Sequence, residues 1–257
     1  MSKVTFLGTG ASTAVPVINC RCTTCRSDSR YNKRLRPSVL IEKNRKKILI
    51  DVGPDIRMQA VRYKIKKIDV LILTHAHFDH IAGLDDLRIF NRIQEKPIRC
   101  YLLKETFKEI KIKFDHFFKR NLKHHTQGAK FDFHVLDGKK QNFRFEDMSF
   151  EYFSYFQDSK KVLGVRVDDF AYITDIKRYD EKIFKKLMNL DVLVLSALRH
   201  QKSDVHFNIK EAIEFIKIVK PKKAYLTHLG HEIEYLRDSK KLLKNVFLAY
   251  DGLEIKF

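Results

Sequence analysis

Short apolar runs separated by turns dominate the first part of the chain, which is the pattern of β-strands. Asn44 and Arg45 separate two of these runs and indicate a hairpin. The apolar spacing then changes to that of helices at Pro54–Ile65 and at Asp79–Ile93, and the second of these opens on an aspartate. The predicted strands here are Val4–Leu7, Ser38–Glu42, Lys47–Ile50, Asp69–Leu73 and Ile98–Leu103.

The second half repeats this order, with strand-type runs first and alternating helices and strands afterwards. The predicted strands are Phe131–Leu136, Phe143–Phe145, Ser149–Phe156, Gly164–Val167, Ala171–Thr174, Asp191–Leu195, Lys223–Leu226 and Val246–Ala249, and the predicted helices are Asp180–Met188, Ile209–Val219 and Glu232–Leu243. This order predicts an α/β protein whose sheets are covered by helices. We expect a single domain over residues 1–257, because no linker rich in Pro, Gly or Ser interrupts the chain.

Composition narrows the class of protein. An apolar content of 44% and a charged content of 32% are typical of globular proteins. No apolar run approaches the roughly 18 residues that span a membrane, and the N-terminus lacks the apolar stretch of a signal peptide. We therefore expect no membrane association and a cytoplasmic location.

The formal charge of +19 suits a phosphate-bearing substrate or nucleic acid, but the lysines are spread along the chain, which favours compositional bias as its origin. The densest basic segment, Lys104–Lys130, has the aromatic spacing of a helix with a basic outer face. We expect the histidines outside the motifs below, His124 and His125 among them, to lie on the surface or to be structural.

The segment 74–80, Thr-His-Ala-His-Phe-Asp-His, follows a predicted buried strand and contains four residues of metal-ligand type. His75 and His77 stand two apart, so an extended loop directs both to the same side. Asp79 and His80 fall where a helix is predicted to begin. Imidazole and carboxylate ligands suit Zn, Mn or Fe, so the segment predicts a metal site. A two-metal site would need further ligands from elsewhere in the chain.

A second ligand cluster lies at residues 20–25, where Cys20, Cys22 and Cys25 have CxCxxC spacing. Three thiolates on one loop suit a tetrahedral structural zinc, which requires a fourth sulfur or nitrogen ligand. Three buried thiols without a metal are the alternative. Cys100 lies inside a predicted strand and is expected in the core.

The HxHxDH motif, preceded by LIDVGPD at 49–55, resembles the metallo-β-lactamase superfamily. The match continues through VTFLGTGAS near the N-terminus, HIAGLDDLR at 80–88, FAYITD at 170–175, LTHLGHE at 226–232 and LAYDGLEI at 248–255. Together with the CxCxxC loop, these segments are similar to the branch that contains the cyclic phosphodiesterase PhnP. The resemblance covers most of the chain and implies a four-layer αββα sandwich, in which two mixed β-sheets are flanked by helices.

The resemblance also implies one or two divalent active-site metals (Zn, Mn or Mg/Fe) and one structural Zn. It assigns one metal to His75 and His77, the other to Asp79, His80 and His228, and the bridging position to Asp175. It makes His231, three residues after His228, the fourth ligand of the structural zinc. Asp51 and Asp55 are candidates to orient ligand histidines from behind.

Two positions depart from the family pattern. Gln157 stands where relatives carry a metal-binding histidine, and an amide oxygen is a poorer zinc ligand than imidazole. We therefore expect the Asp79/His80/His228 metal to be tight and the other one weak. His206 resembles a catalytic residue that contacts the scissile phosphate and protonates the leaving group, whereas Ser203 replaces a second histidine of that pattern. His206 and Asp79 form the predicted catalytic set.

These features predict a metal-dependent hydrolase, specifically a phosphodiesterase that cleaves a small or cyclic phosphodiester through a metal-activated water. We expect its activity to be weakened by Gln157. The expected partner is a small phosphate-bearing substrate, nucleic acid is less favoured, and the resemblance is compatible with a homodimer. Two alternatives stay open: a non-catalytic, PqqB-like metal-binding or carrier protein with a degenerate site, and a tRNase Z-like nuclease, which the basic charge would assist.

Overall fold

Two sheets of seven strands each organise the computed structural model, which describes residues 2–118, 128–138 and 141–257. The first sheet has the spatial order β14-β1-β2-β3-β4-β5-β6. Its strands are β1 (Lys3–Gly8), β2 (Ser38–Lys43), β3 (Lys46–Ile50), β4 (Val70–Leu73), β5 (Ile98–Leu103), β6 (Phe131–Leu136) and β14 (Glu254–Lys256). From β3 to β6 the strands are parallel, whereas β14, β1, β2 and β3 pair antiparallel.

The second sheet has the order β13-β12-β11-β10-β9-β8-β7. Its strands are β7 (Asn142–Phe145), β8 (Met148–Gln157), β9 (Lys160–Val167), β10 (Phe170–Ile173), β11 (Val192–Ser196), β12 (Lys223–Thr227) and β13 (Val246–Leu248). It is also mixed, because β10 to β13 run parallel and β7 to β10 pair antiparallel. The expectation of two mixed sheets is confirmed.

Helices cover the outer face of each sheet. The helices are α1 (Thr23–Arg26), α2 (Ile56–Arg62), α3 (Phe78–Ile81), α4 (Arg88–Gln94), α5 (Lys104–Lys113), α6 (Ile183–Lys186), α7 (Ile209–Val219) and α8 (Tyr235–Ser239). One core lies between the sheets and includes Phe6 and Tyr172. A second core packs α7 on the second sheet, and a third packs α2, α4 and α5 on the first. Helix, sheet, sheet and helix therefore form the four layers of the expected αββα sandwich.

The predicted helices are longer than the observed ones. Asp79–Ile93 is wrong as one helix, because it divides into α3, a 3-10 turn at Leu84–Leu87 and α4. The break falls at Gly83, whose amide donates to the Val52 carbonyl instead of continuing the helix. The basic helix ends at Lys113, and residues 119–127, with His124 and His125, lie outside the described residues.

The remaining corrections concern the ends of the chain's elements. Pro54–Ile65, Asp180–Met188 and Glu232–Leu243 shorten to α2, α6 and α8, because their terminal residues form turns. The C-terminal strand β14 was not predicted, since it is only three residues long and is held at a sheet edge by its pairing with β1. Among the described residues no helix has the length and apolarity to cross a membrane.

Candidate metal centre

The predicted ligands meet at one edge of the two sheets, where strands of both sheets have their carboxyl ends. Asp51 follows β3, the 74–80 loop follows β4, Asp175 follows β10 and His228 follows β12. The Leu163 amide of β9 donates to the Thr74 carbonyl at 2.9 Å and links the sheets beside this edge. Parallel strands end on the same side, which explains why residues distant in sequence converge here.

Three of these residues have a left-handed backbone. The φ angles are 62° at Asp51, 55° at Asp175 and 57° at His228. A residue with a Cβ rarely adopts this region, and the cost of doing so is typically about 1–3 kcal/mol per residue. The strands therefore turn sharply at each of these positions, and the turn directs the side chain into the cluster. Strain of this kind concentrates at functional sites.

Asp51 orients the loop from behind. Its carboxylate accepts hydrogen bonds from the Thr74 amide at 2.8 Å, from the Thr74 hydroxyl, and from His80 Nδ1 at 2.7 Å. Both Asp51 and His80 are fully buried. Because His80 Nδ1 is held by a carboxylate, Nε2 is the ring nitrogen that faces the cluster, which is the usual arrangement behind a metal-binding histidine.

The inner cluster consists of Asp79, His80, Asp175 and His228. His80 Nε2 lies 3.3 Å from Asp79 Oδ2 and 3.2 Å from Asp175 Oδ2. His228 Nε2 lies 3.4 Å from Asp79 Oδ2 and 3.2 Å from Asp175 Oδ1. Asp175 thus stands between the two imidazoles, with one oxygen toward each.

The donor set fits a divalent metal. Ligand atoms that share one tetrahedral zinc at metal–ligand distances near 2.0–2.2 Å lie about 3.3–3.5 Å apart, close to the separations found in the inner cluster. Within the described part of the chain, the buried nitrogens His80 Nε2 and His228 Nε2 have no hydrogen-bond partner. Buried polar atoms are normally paired, so Asp79, His80, His228 and Asp175 are the residues that would hold a cation here.

Electrostatics point the same way. Burial alone would lower the pKa of His80, but the carboxylates of Asp79, Asp175 and Asp51 raise it well above the ordinary value. Burial alone would raise the pKa of Asp175, but His228 and His80 hold it well below. The Asp79 and Asp175 carboxylates are therefore ionised, and the protonated His80 ring balances part of their charge. A divalent cation would displace that proton from His80 Nε2 and neutralise the carboxylates in its place.

His75 and His77 form the second half of the centre. His75 Nε2 and His77 Nδ1 are 3.0 Å apart, so both nitrogens face one point, as the two-residue spacing predicts. His75 Nδ1 is 3.0 Å from the Thr74 hydroxyl, and His75 also groups with His80 and Asp175 within metal-ligand range. Burial lowers the pKa of both His75 and His77, so both are neutral rings that keep a nitrogen lone pair for a metal.

Gln157 ends β8 and is 5% exposed. Its amide nitrogen donates to Asp175 Oδ1 at 3.2 Å and to His206 Nε2 at 3.0 Å. Its amide oxygen is buried without a partner among the described residues. The side chain thus reaches the bridging carboxylate, but it does so with a donor where an imidazole would offer a lone pair.

His206 lies two residues before the N-cap of α7, Asn208, whose side chain forms a capping box with Glu211. His206 Nδ1 is 3.4 Å from Asp175 Oδ1 and stays within metal-ligand range of His228. Burial lowers the pKa of His206 to about 4, although Asp175 opposes this effect. The ring is therefore neutral near pH 7. The nearby Ser203 is buried, and its hydroxyl accepts from the Val205 amide.

The cysteine loop and His231 form a separate cluster. His231 Nδ1 lies 3.2 Å from Cys20 Sγ, 3.5 Å from Cys22 Sγ and 3.7 Å from Cys25 Sγ. Sulfur and nitrogen ligands of one tetrahedral zinc are about 3.5 Å apart, so these four residues fit a structural zinc. Burial would raise the pKa of Cys22, but hydrogen bonds from the Cys25 amide and His231 lower it to about 6. Burial raises the pKa of Cys25 to about 11.

Two contacts differ from what the motifs suggest. Asp55 forms an ion pair with Arg36 at 3.0 Å and accepts from the Arg36 amide at 2.8 Å, and no ligand histidine is among its described partners.

Arg34, which the sequence did not predict, is 1% exposed and donates to the Gly230 and Ile233 carbonyls on both sides of His231. Its position between the two cluster loops carries no motif, so no pattern in one sequence identifies it.

A large apolar groove lies away from the metal cluster. A groove of about 630 Å³ lies between α2 and α4, with Ile56, Ile65 and Phe90 among its lining residues. The metal cluster does not open into it, since none of the predicted ligands lines the groove. The predicted metal ligands therefore lie in the strand-end cluster and not in this groove.

Comparison with known proteins gives the family. Residues 46–229, which hold the 74–80 loop, Asp175 and His228, match the family described as the beta-lactamase superfamily domain. The chain belongs to this superfamily. The metallo-β-lactamase resemblance is thereby confirmed at the level of the family.

Several known proteins and solved structures are similar to the chain along most of its length. It is 32% identical over 253 residues to an octanoyltransferase of Porphyromonas gingivalis, covering 97% of this chain and 50% of that protein. The chain therefore spans about half the length of this curated relative. A crystal structure described as a new diphosphatase from the PhnP family has a TM-score of 0.91 and 32% identity, and covers 100% of this chain and 98% of that one. Zn²⁺-bound PqqB from Methylobacterium extorquens has a TM-score of 0.80 with 19% identity, over 99% and 100% of the two chains.

Proposed function

We propose that this protein is a metal-dependent phosphodiesterase that hydrolyses a small phosphodiester, including the diester of a diphosphate. The observation that carries the proposal is the inner cluster, in which Asp175 lies 3.2 Å from both His80 Nε2 and His228 Nε2 at the meeting edge of the two sheets. The PhnP-family diphosphatase supports the choice of phosphate chemistry, since it matches the whole chain at 32% identity. A cytoplasmic location and a homodimer remain parts of the proposal.

Bound divalent cations lower the pKa of water and neutralise charge that develops on phosphoryl oxygens. The residues of this chain hold and orient that chemistry. Asp51 sets the direction of the His80 ring, and the strained turns at Asp175 and His228 fix the direction of both side chains. A site assembled from strand ends changes little on binding, which favours electrostatic stabilisation of the transition state.

His206 is assigned to contact with the phosphoryl group. A neutral imidazole still carries one N–H group that can donate to an anionic oxygen. Gln157 donates to His206 Nε2, so the ring proton is on Nδ1 in this arrangement. Nε2 therefore carries no proton while it accepts from Gln157. Transfer of a proton from Nε2 to a leaving alkoxide would require the Gln157 contact to break and Nε2 to take up a proton first. The role of Asp79 is to hold a cation, and its position beside the His80 and His228 imidazoles fits that role.

The test is an assay of the protein loaded with Zn, Mn or Mg on bis-p-nitrophenyl phosphate, on a 2′,3′-cyclic nucleotide and on a diphosphate diester. We expect turnover of at least one substrate. Asp175→Asn should lower kcat/KM by more than about 100-fold, because even the loss of an outer partner of a ligand typically costs 10- to 100-fold. Absence of turnover with every metal and every substrate would contradict the proposed function.

A PqqB-like metal-binding or carrier protein is the second candidate, and Gln157 favours it. The same assay run on Gln157→His separates the two candidates. If the wild type is inert and the substitution restores turnover, the result supports the carrier function. A nuclease would instead bind structured RNA with a strong salt dependence and cleave it. We expect neither strong binding nor cleavage at physiological salt.

A further inference from the structure

The predicted metal ligands differ in their exposure to solvent. His75, His80, Asp175 and His228 are each at most 2% exposed, whereas His77 and Asp79 are partly exposed. His77 and Asp79 therefore offer a side from which a substrate can reach the cluster. Phe78 lies between them in the sequence, and its ring is beside Lys113, which donates to the Ala76 carbonyl of the same loop.

Phe78 is 62% exposed. It is the first residue of α3, and its carbonyl accepts from the Ala82 amide, so its backbone is held by the same turn that places Asp79 and His80. A single exposed apolar ring needs no explanation by itself. This ring, however, is fixed on a rigid element between two predicted ligands, and its exposed area contributes nothing to the core.

A cation is held beside the ring. Lys113 Nζ lies 5.2 Å from the centroid of the Phe78 ring and donates to the Ala76 carbonyl at 2.5 Å. It also pairs with Glu109 at 3.1 Å. Glu109 pairs with Lys160 as well, at 2.7 Å. One carboxylate thus serves two ammonium groups beside an exposed aromatic face.

Lys160 is a second cation, and it lies on the side of the centre where Gln157 is found. It is paired with Gln157 at the end of the β8–β9 hairpin, and its side chain is 42% exposed. An exposed aromatic face and two cations near a phosphate-cleaving centre match a ligand that has a flat ring and anionic groups. Nucleic-acid bases stack on aromatic side chains, and lysines bind phosphates.

We infer that the substrate is a nucleotide: its base stacks on Phe78, and Lys113 and Lys160 bind non-bridging oxygens of its phosphate. This inference rests on the proposed function and deepens it, because a diester that lacks a base would leave the ring unused. Phe78 is then the residue that separates nucleotides from base-free phosphodiesters.

The experiment compares two cyclic phosphodiesters that share the same five-membered ring: 2′,3′-cyclic AMP, which has a base, and glycerol 1,2-cyclic phosphate, which has none. The measured quantity is the ratio of their kcat/KM values. We expect Phe78→Ala to lower this ratio by about 10-fold or more, as the loss of one base stack does. Phe78→Tyr should retain it. Phe247→Ala is the matched control, since Phe247 is a 40% exposed ring on β13.

Two further measurements make the outcome independent of turnover. Metal content of Phe78→Ala should equal that of the wild type, which shows that the ligand loop is intact. Calorimetric binding of 3′-AMP, with glycerol 3-phosphate as the base-free ligand, should weaken about 10-fold for 3′-AMP alone. If the wild type hydrolyses neither diester, the proposed function fails and binding still decides the role of Phe78. A ratio and an affinity that change less than twofold in Phe78→Ala would overturn the inference.

Discussion

At the residue scale, the site depends on side chains that no ligand motif includes. Asp51 lies behind the loop and holds Thr74 and His80 through three hydrogen bonds. Its buried carboxylate sets which nitrogen of His80 faces the cluster. The ligand histidine therefore owes its orientation to a residue from the preceding strand end.

Asp51→Asn keeps the size of the side chain and removes its charge. We expect the affinity of the active site for Zn to fall about 10- to 100-fold, the usual cost of losing the outer partner of a ligand histidine. Competition titration with a chromophoric chelator measures it. Asp55→Asn is the matched control, because Asp55 contacts Arg36 and should leave the affinity unchanged. Equal losses in both variants would contradict the role given to Asp51.

Close backbone packing also supports the loop. Gly53 leaves no room for a side chain, since a Cβ there would lie 2.2 Å from the Asp79 carbonyl oxygen. Gly53→Ala should therefore displace Asp79 and lower the free energy of unfolding by about 1–3 kcal/mol, as overpacking typically does. Chemical denaturation measures the change.

Gly128→Ala is the control for this substitution, because among the described residues its Cβ would meet only ordinary contacts at 3.5 Å or more. We expect Gly128→Ala to remain close to the wild type in stability and metal content. A Gly53→Ala protein with wild-type stability and metal content would show that the loop tolerates displacement.

At the element scale, the cysteine loop joins the N-terminal part of the chain to the loop after β12. Removal of the zinc from the cysteine loop should therefore destabilise both the N-terminal part of the chain and the loop after β12. Cys20→Ser should lose one zinc per chain. It should also lose the stabilisation that bound metal supplies, about 2.7 kcal/mol when free zinc is 100 times the Kd. Thermal unfolding and elemental analysis measure these two effects.

Cys100→Ala tests whether the effect belongs to the cluster. Cys100 is fully buried in β5 and lies in the core, away from the other cysteines. The Cys100→Ala protein should keep its full zinc content. A Cys20→Ser protein with an unchanged zinc content would show that the loop holds no metal.

The strands were largely predictable from the sequence, whereas the helix lengths were not. Runs such as Val70–Leu73 are apolar throughout because both faces are covered, and that pattern is visible in one sequence. Helix ends depend on tertiary contacts, for example the bond from Gly83 to the Val52 carbonyl, which the local pattern does not reveal. The edge strand β14 depends in the same way on its partner β1.

At the scale of the whole molecule, the centre exists because two sheets meet at one edge. The histidine loop marks the site in the sequence, since four ligand-type residues in seven positions are rare. The family resemblance, and not a local pattern, added Asp175 and His228 to the site. The reason is that only the fold brings those strand ends together. The left-handed turns at Asp51, Asp175 and His228 left no signal at all, since none of the three is a glycine.

The central claim is an asymmetric metal centre, with a tight site at Asp79, His80, His228 and Asp175 and a weak site at His75 and His77. The difference follows from Gln157, which meets Asp175 with a hydrogen-bond donor. Gln157→His replaces that donor by an imidazole and should strengthen the weak site.

The most direct measurement is the number of zinc ions retained per chain at low free zinc, by elemental analysis after dialysis against a metal buffer. The account predicts two in the wild type, one structural and one in the active site, and three in Gln157→His. Three tightly held ions in the wild type would contradict it.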